Sequence, residues 1–268
     1  MSSERTQRLK EILAETWTPP NTLGMQQDAW PIDGINGEWE SYSHTFKNLL
    51  QRAGAESLDS LVARFGARGK PVAVLDVMGG GYFLDNPSVA DHIFAIRRDE
   101  ADAALRARYE VRMQDRDPKI VQQGCIYARK LDEYRTLATL GKRRVIVGNV
   151  LDEEVWESLD TAMRDSGVSQ FQLIACRPQG PFRIPTMQSS GHMDIFIEMY
   201  DRMIRRLSPN GLMFAQIPHA IDDKSQMLEL KRQLQASHGN IVTHIDVEPP
   251  MSAYITYKDP VMMVYKNQ

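Results

Sequence analysis

The sequence predicts an α/β protein: a doubly wound, mostly parallel seven-stranded sheet ending in an antiparallel β-hairpin, with an N-terminal helical extension. Three observations carry this. From Pro71 onward, short apolar runs alternate with segments of helical spacing, the pattern of a parallel sheet with helices on its faces. The first run, Val72 to Val77, reaches Asp76 and then breaks into Gly79-Gly80-Gly81, as a buried strand does when its backbone must turn sharply. The last two runs are joined by a segment without helical pattern, so they should pair antiparallel.

The elements follow in order. Glu4 to Glu15 has helical spacing in Leu9, Ile12 and Leu13 and is stopped by Pro19-Pro20. A Gly-, Pro- and Asp-rich stretch from Asn21 to Trp39 carries Trp30 and Trp39. Helices are expected at Tyr42 to Ala53 and Leu58 to Phe65, and the region 1–70 reads as a helical cap or lid before the sheet domain, 71–268. The strands are expected at Val72 to Val77, His92 to Arg97, Arg144 to Asn149, Phe171 to Cys176 and Leu212 to Ile217. Helices are expected at Glu100 to Met113, Glu153 to Arg164, His192 to Leu207 and Lys224 to Ala236. Ser208-Pro209-Asn210-Gly211 reads as a turn into the fifth strand. Ile241 to Val247 and Val261 to Tyr265 make the terminal pair. The segment from Gln114 to Gly141 is long for a βα connection and should carry an extra helix.

Composition narrows the class. At 268 residues the chain can bury a full core, and 42% hydrophobic with 25% charged residues is an ordinary globular balance. A net charge of −3 provides no global attraction to nucleic acid or to an anionic membrane. The basic runs Arg97-Arg98, Lys142-Arg143-Arg144 and Arg205-Arg206 lie beside acids or at element boundaries and read as solvated surface. Cys125 and Cys176 have neither metal-ligand spacing nor a disulfide framework, so no metal is expected and a reducing compartment fits. The polar first residues lack an apolar signal core, and no apolar run approaches the ~20 residues of a membrane span. A cytoplasmic protein is expected.

Four places then resemble the class I S-adenosylmethionine-dependent methyltransferases. Val74-Leu75-Asp76-Val77-Met78-Gly79-Gly80-Gly81 is similar to that family's first motif, a strand, an acid and a glycine turn. Val145-Ile146-Val147-Gly148-Asn149-Val150 is similar to its third-strand motif, and Phe171 to Cys176 to its fourth strand. Leu207-Ser208-Pro209-Asn210-Gly211-Leu212 resembles its Leu-x-Pro-Gly-Gly turn. The resemblance covers roughly Pro71 to Lys266. It implies a Rossmann-like domain that binds S-adenosyl-L-methionine and moves its methyl group to an acceptor.

The same resemblance implies site residues. Asp76, with Met78, Gly79, Gly80 and Gly81, would cradle the methionine part of the cofactor; a strand-end carboxylate accepts hydrogen bonds from a cationic amine, and also serves as a turn or N-cap group. Asn149 and the backbone of Val150 would meet the adenine, a carboxamide oxygen being able to accept from an exocyclic amine. Cys176 would end beside the methyl group; its thiol equally suits a small buried hydrophobe. The family has glycine where Met78 stands, and often where Tyr82 stands. It has an acid at the end of the second strand to bind the ribose. Here Arg97 and Arg98 stand there and acids return at Asp99 and Glu100. Either Asp99 reaches the ribose from a shifted strand, or that contact is missing.

Other residues follow from chemistry and position. Arg177 and Arg183, in the Pro/Gly-rich loop after the fourth strand, suit a carboxylate or phosphate on the acceptor, or water. His192 and His219, after the fourth and fifth strands, are candidate general bases or structural histidines. Trp30 could close over an acceptor or anchor the N-terminal segment. The leading reading is methyl transfer to a small or medium-sized acceptor. The alternative is a methyltransferase-like binding protein without activity. A nicotinamide dehydrogenase is disfavoured, because Gly79 to Leu84 lacks the last glycine of Gly-x-Gly-x-x-Gly and that fold does not predict a terminal antiparallel pair.

Overall fold

A computed structural model describes residues 45–67, 69, 71–77, 90–97, 143–147, 150, 152–176, 193–217, 224–247 and 260–268. Its elements are α1 (Lys47–Arg52), α2 (Leu58–Gly66), β1 (Ala73–Val77), β2 (His92–Arg97), β3 (Arg143–Val147), α3 (Glu153–Asp165) and β4 (Phe171–Cys176). They continue with α4 (Met193–Arg206), β5 (Leu207–Gln216), α5 (Lys224–Ser237), β6 (Ile241–Asp246) and β7 (Val261–Lys266). The strands form one seven-stranded sheet in the order β3-β2-β1-β4-β5-β7-β6. Pairing is parallel from β3 to β5, and β7 runs antiparallel to both β5 and β6.

All five residues of β1 are buried, as expected for a parallel strand covered on both faces. Leu75 and Val77 pack into a core with Phe94, Ile96, Ile174, Met213 and residues of α3, α4 and α5. Val74 faces the other way, into a second core with Ala95, Ala175 and Phe214 under α1 and α2. The two helices before β1 thus share a core with the sheet. In α2 the buried Leu58, Leu61, Val62 and Phe65 fall at i, i+3, i+4 and i+7, one helical stripe. A capping box starts that helix: Ser57 and Ser60 exchange backbone-to-hydroxyl bonds of 3.1 Å each.

Charged side chains tie the helices of the opposite layer together. Arg202 of α4, only 5% exposed, donates to Glu198 at 2.7 Å and to Glu153 of α3 at 3.0 Å. Arg206 makes a two-pronged contact with Asp160, both bonds 2.7 Å, and its guanidinium lies 4.7 Å from the centre of the Trp156 ring. Between α4 and α5, His238 Nε2 lies 2.7 Å from Asp201 Oδ1, a hydrogen bond when Nε2 carries its proton.

Ser208 to Gly211 is not a turn ahead of the fifth strand; β5 begins at Leu207 and contains it. The β4–β5 register passes from Phe171↔Leu207 to Leu173↔Leu212, so Ser208 to Gly211 bulge out of the ladder. Asn210 adopts φ 60°, a conformation that asparagine tolerates better than most residues, and its side chain accepts a 2.7 Å bond from the Tyr265 hydroxyl. The turn chemistry was legible; its place inside a strand was set by pairing with β4. The predicted helices at Glu4 to Glu15 and Glu100 to Met113, and the segment Gln114 to Gly141, lie outside the described residues.

Candidate functional site

The strand order singles out one place on the sheet. From β1 the chain moves to β2 and then β3 on one side, and it returns to β4 on the other side of β1. The winding reverses between β1 and β4, and ligands of open α/β sheets bind at the carboxyl ends of the strands beside such a reversal. Asp76 lies at that end of β1. Its register partners are Ala95 on β2 and Ala175 on β4, so small side chains flank it on both sides. By strand alternation it shares the face of Val74, toward the α1–α2 layer. At 1% exposure the carboxylate is shielded from water, which strengthens any hydrogen bond it makes.

Cys176 ends β4 beside Val77 in register but points to the opposite face, into the core under α3, α4 and α5. Burial pushes its thiol well above the ordinary value, and the nearby Asp76 carboxylate pushes it further. The thiol is therefore protonated near neutral pH and is a core group, not a nucleophile. Val150 behaves similarly: its side chain is buried in the same core, and its carbonyl accepts a 2.7 Å bond from the Trp156 indole. That bond anchors the chain between β3 and α3.

Arg97 is the last residue of β2, paired with Val147; its side chain lies outside what the structure describes. Trp30, Met78, Gly79, Gly80, Gly81, Asp99, Asn149, Arg177, Arg183, His192 and His219 also lie outside the described residues. In sequence, Met78 and then the three glycines follow β1, Arg177 follows β4, His192 precedes α4, and His219 is two residues beyond Ile217. Among the described residues no cluster of His, Cys, Asp and Glu could hold a metal, and no helix is long and apolar enough to cross a membrane.

One residue at this edge, Gln216, is not among those the sequence predicts for the site. Gln216, a residue 5% exposed, closes β5, and its main-chain carbonyl accepts a 3.2 Å bond from the buried Tyr200 hydroxyl of α4. The available signal was a single polar residue inside the apolar run Leu212 to Ile217.

In the order of its strands, the place of Asp76 and the antiparallel end of its sheet, the chain resembles the class I S-adenosylmethionine-dependent methyltransferases. No protein-family model matches the chain, and no curated protein does. Solved structures do match. A putative rRNA-methylase from Clostridium thermocellum is 11% identical over 78% of this chain and 96% of its own, with a TM-score of 0.41. The N-methyltransferase NodS from Bradyrhizobium japonicum WM9 is 11% identical over 83% and 98%, with a TM-score of 0.38. An O-methyltransferase from Bacillus cereus, solved in complex with SAH, is 11% identical over 78% and 80%, with a TM-score of 0.39. Overlaps of this size leave the fold resting on strand order and register.

Proposed function

We propose that the protein transfers a methyl group from S-adenosyl-L-methionine to a small or medium-sized acceptor by direct displacement. One observation carries the reading: a buried carboxylate, Asp76, stands at the carboxyl end of the central strand where the winding reverses, in a sheet whose last strand enters antiparallel between β5 and β6. A dinucleotide-binding sheet of order 3-2-1-4-5-6 has no such insertion. The residues fit the cofactor's amino acid end. Asp76 would accept from its ammonium group, with Ala95 and Ala175 leaving room on either side.

The cofactor, when bound, supplies a methyl group on a sulfonium. The chain's own work is alignment and exclusion of water. Backbone N–H groups of Gly79 to Gly81 would meet the cofactor carboxylate, and Asn149 and Val150 the adenine. Trp156, by holding the Val150 carbonyl, keeps that backbone in place. Asp99 is the proposed ribose partner, beside Arg97. Arg177 and Arg183 would hold an acidic group of the acceptor, and His192 or His219 would take its proton. The reading supposes the helical region 1–70 to border the acceptor side, with Trp30 near it.

Calorimetry tests this with S-adenosylmethionine and S-adenosylhomocysteine separately. Saturable binding of both is expected. Absence of heat from either ligand at millimolar concentration would refute the reading.

A further inference from the structure

The two ends of the described sheet differ. β3, at one end, opens with Arg143 and Arg144, charges that discourage the addition of a strand. β6, at the other, reads Ile-Val-Thr-His-Ile-Asp, without proline or lysine, and pairs with β7 in one unbroken register. Such an edge is a template for a further strand. Its orientation follows from the ladder. The Asn267 N–H donates to the Asn240 carbonyl at 2.7 Å, so these two residues form a hydrogen-bonded pair. Antiparallel pairs alternate, so Val242, His244 and Asp246 bond to β7, whereas Thr243 and Ile245 turn their N–H and C=O groups outward. Among the described residues no strand pairs with that side. Val242 is 37% exposed, and Val247, just past the strand, 46%.

Charge is unevenly spread along this edge. Asn48 of α1 donates a 2.8 Å bond to the Asp246 carboxylate, and the exposed Arg52, one helical turn on, has no ion pair among the described residues. Burial first, then the charges of Arg52 and of Lys231 on α5, hold the His244 imidazole below its usual range, which places both cations near His244. Near neutral pH that imidazole is an uncharged N–H donor. One end of the edge therefore offers a donor with cations around it, and an acid stands two residues away.

We propose that β6 pairs antiparallel with β6 of a second copy of this chain, about a two-fold axis at Ile245. In that register Ile245 faces the partner's Ile245, Thr243 faces the partner's Val247, and His244 faces the partner's Asp246. Residues 243, 245 and 247 alternate along the outward side, so they make the hydrogen-bonded pairs. His244 and Asp246 fall at the closer, non-hydrogen-bonded positions where cross-strand side chains meet, and Arg52 comes with His244 toward the partner's Asp246. What the pairing draws on is the charge of Asp246, which the Asn48 amide leaves in place. Each contact occurs twice, as a two-fold interface requires, and Val247 is covered on both copies. Pairing about His244 instead would set that residue against itself and Asp246 against Val242.

Sedimentation equilibrium of the full chain near neutral pH tests this up to about 200 μM, where a micromolar Kd gives mostly dimer. A reversible species of twice the chain's mass is expected. Arg52→Glu should weaken it about fivefold. Ile245→Pro removes an outward N–H without touching the bonds to β7 and should weaken it about tenfold, with circular dichroism confirming the fold. In a Cys125→Ser background, Ile245→Cys should oxidise to a covalent dimer, because hydrogen-bonded partners stand about 5.5 Å apart, within disulfide reach. Val242→Cys should not, although exposed, since its two copies would lie about 20 Å apart. A monomer at every concentration overturns the proposal. So does a dimer that neither Arg52→Glu nor Ile245→Pro weakens, or one that cross-links at 242 as readily as at 245. Should Ile245→Pro fail to fold, Arg52→Glu and the two cysteine variants decide the matter.

Discussion

Replacing Asp76 with asparagine tests the centre of the proposed site with little change of shape. The position is 1% exposed and flanked by Ala95 and Ala175, so water cannot take over a lost interaction, and the isosteric side chain has room. A hydrogen bond to a charged partner contributes about 1.5–3 kcal/mol and a neutral one about 1 kcal/mol. The exchange should therefore weaken S-adenosylhomocysteine binding by about 0.5–2 kcal/mol, roughly 2- to 30-fold in Kd. Calorimetry gives the Kd, and urea unfolding of both proteins confirms that the fold is intact. A second readout is independent of ligand. Burial chiefly raises the Cys176 thiol and Asp76 adds to it, so in Asp76→Asn the thiol should titrate lower while staying above its ordinary value. Thiolate absorbance in a Cys125→Ser background measures this. A Kd unchanged within about twofold, in a folded variant, would show that the ammonium is held elsewhere and would remove Asp76 from the site.

Trp156→Phe keeps the ring beneath Arg206 but deletes the 2.7 Å bond to the buried Val150 carbonyl. It should lower stability by about 1–3 kcal/mol, read as a shifted urea midpoint with unchanged slope. Burial raises the Asp201 carboxyl, but the His238 hydrogen bond and then Arg205 outweigh it, so the folded pKa lies below its usual value. A carboxylate lowered on folding stabilises above its unfolded pKa and loses that contribution as pH falls through the folded one. Asp201→Asn should thus be less stable than the parent at pH 7 by about 1 kcal/mol, with the gap closing below about pH 4 in thermal scans. In the same Cys125→Ser background, Cys176 should react with a thiol reagent only as fast as the protein unfolds. Rapid labelling of the native state would contradict its burial.

Where local chemistry was sufficient, the sequence by itself placed elements closely. The apolar runs His92–Arg97 and Phe171–Cys176 are β2 and β4 to the residue, because turn-forming or charged neighbours bound them on both sides. It also placed Asp76 at the end of a central strand, and it required an antiparallel terminal pair, since no crossover helix separates those runs. Residues farther along the proposed site, from Met78 to His219, were legible only as types in loops.

The tertiary structure decided what depends on non-local pairing. A hairpin can add to a sheet by either of its strands; contact with β5 put β7 inside and left β6 at the end of the order. Pairing with β4 turned Ser208 to Gly211 into a bulge. Facing was also hidden, because both sides of a parallel strand are buried and its sequence carries no polar alternation. Only the packed sheet separates Asp76 and Gln216, on one face, from the Cys176 thiol on the other.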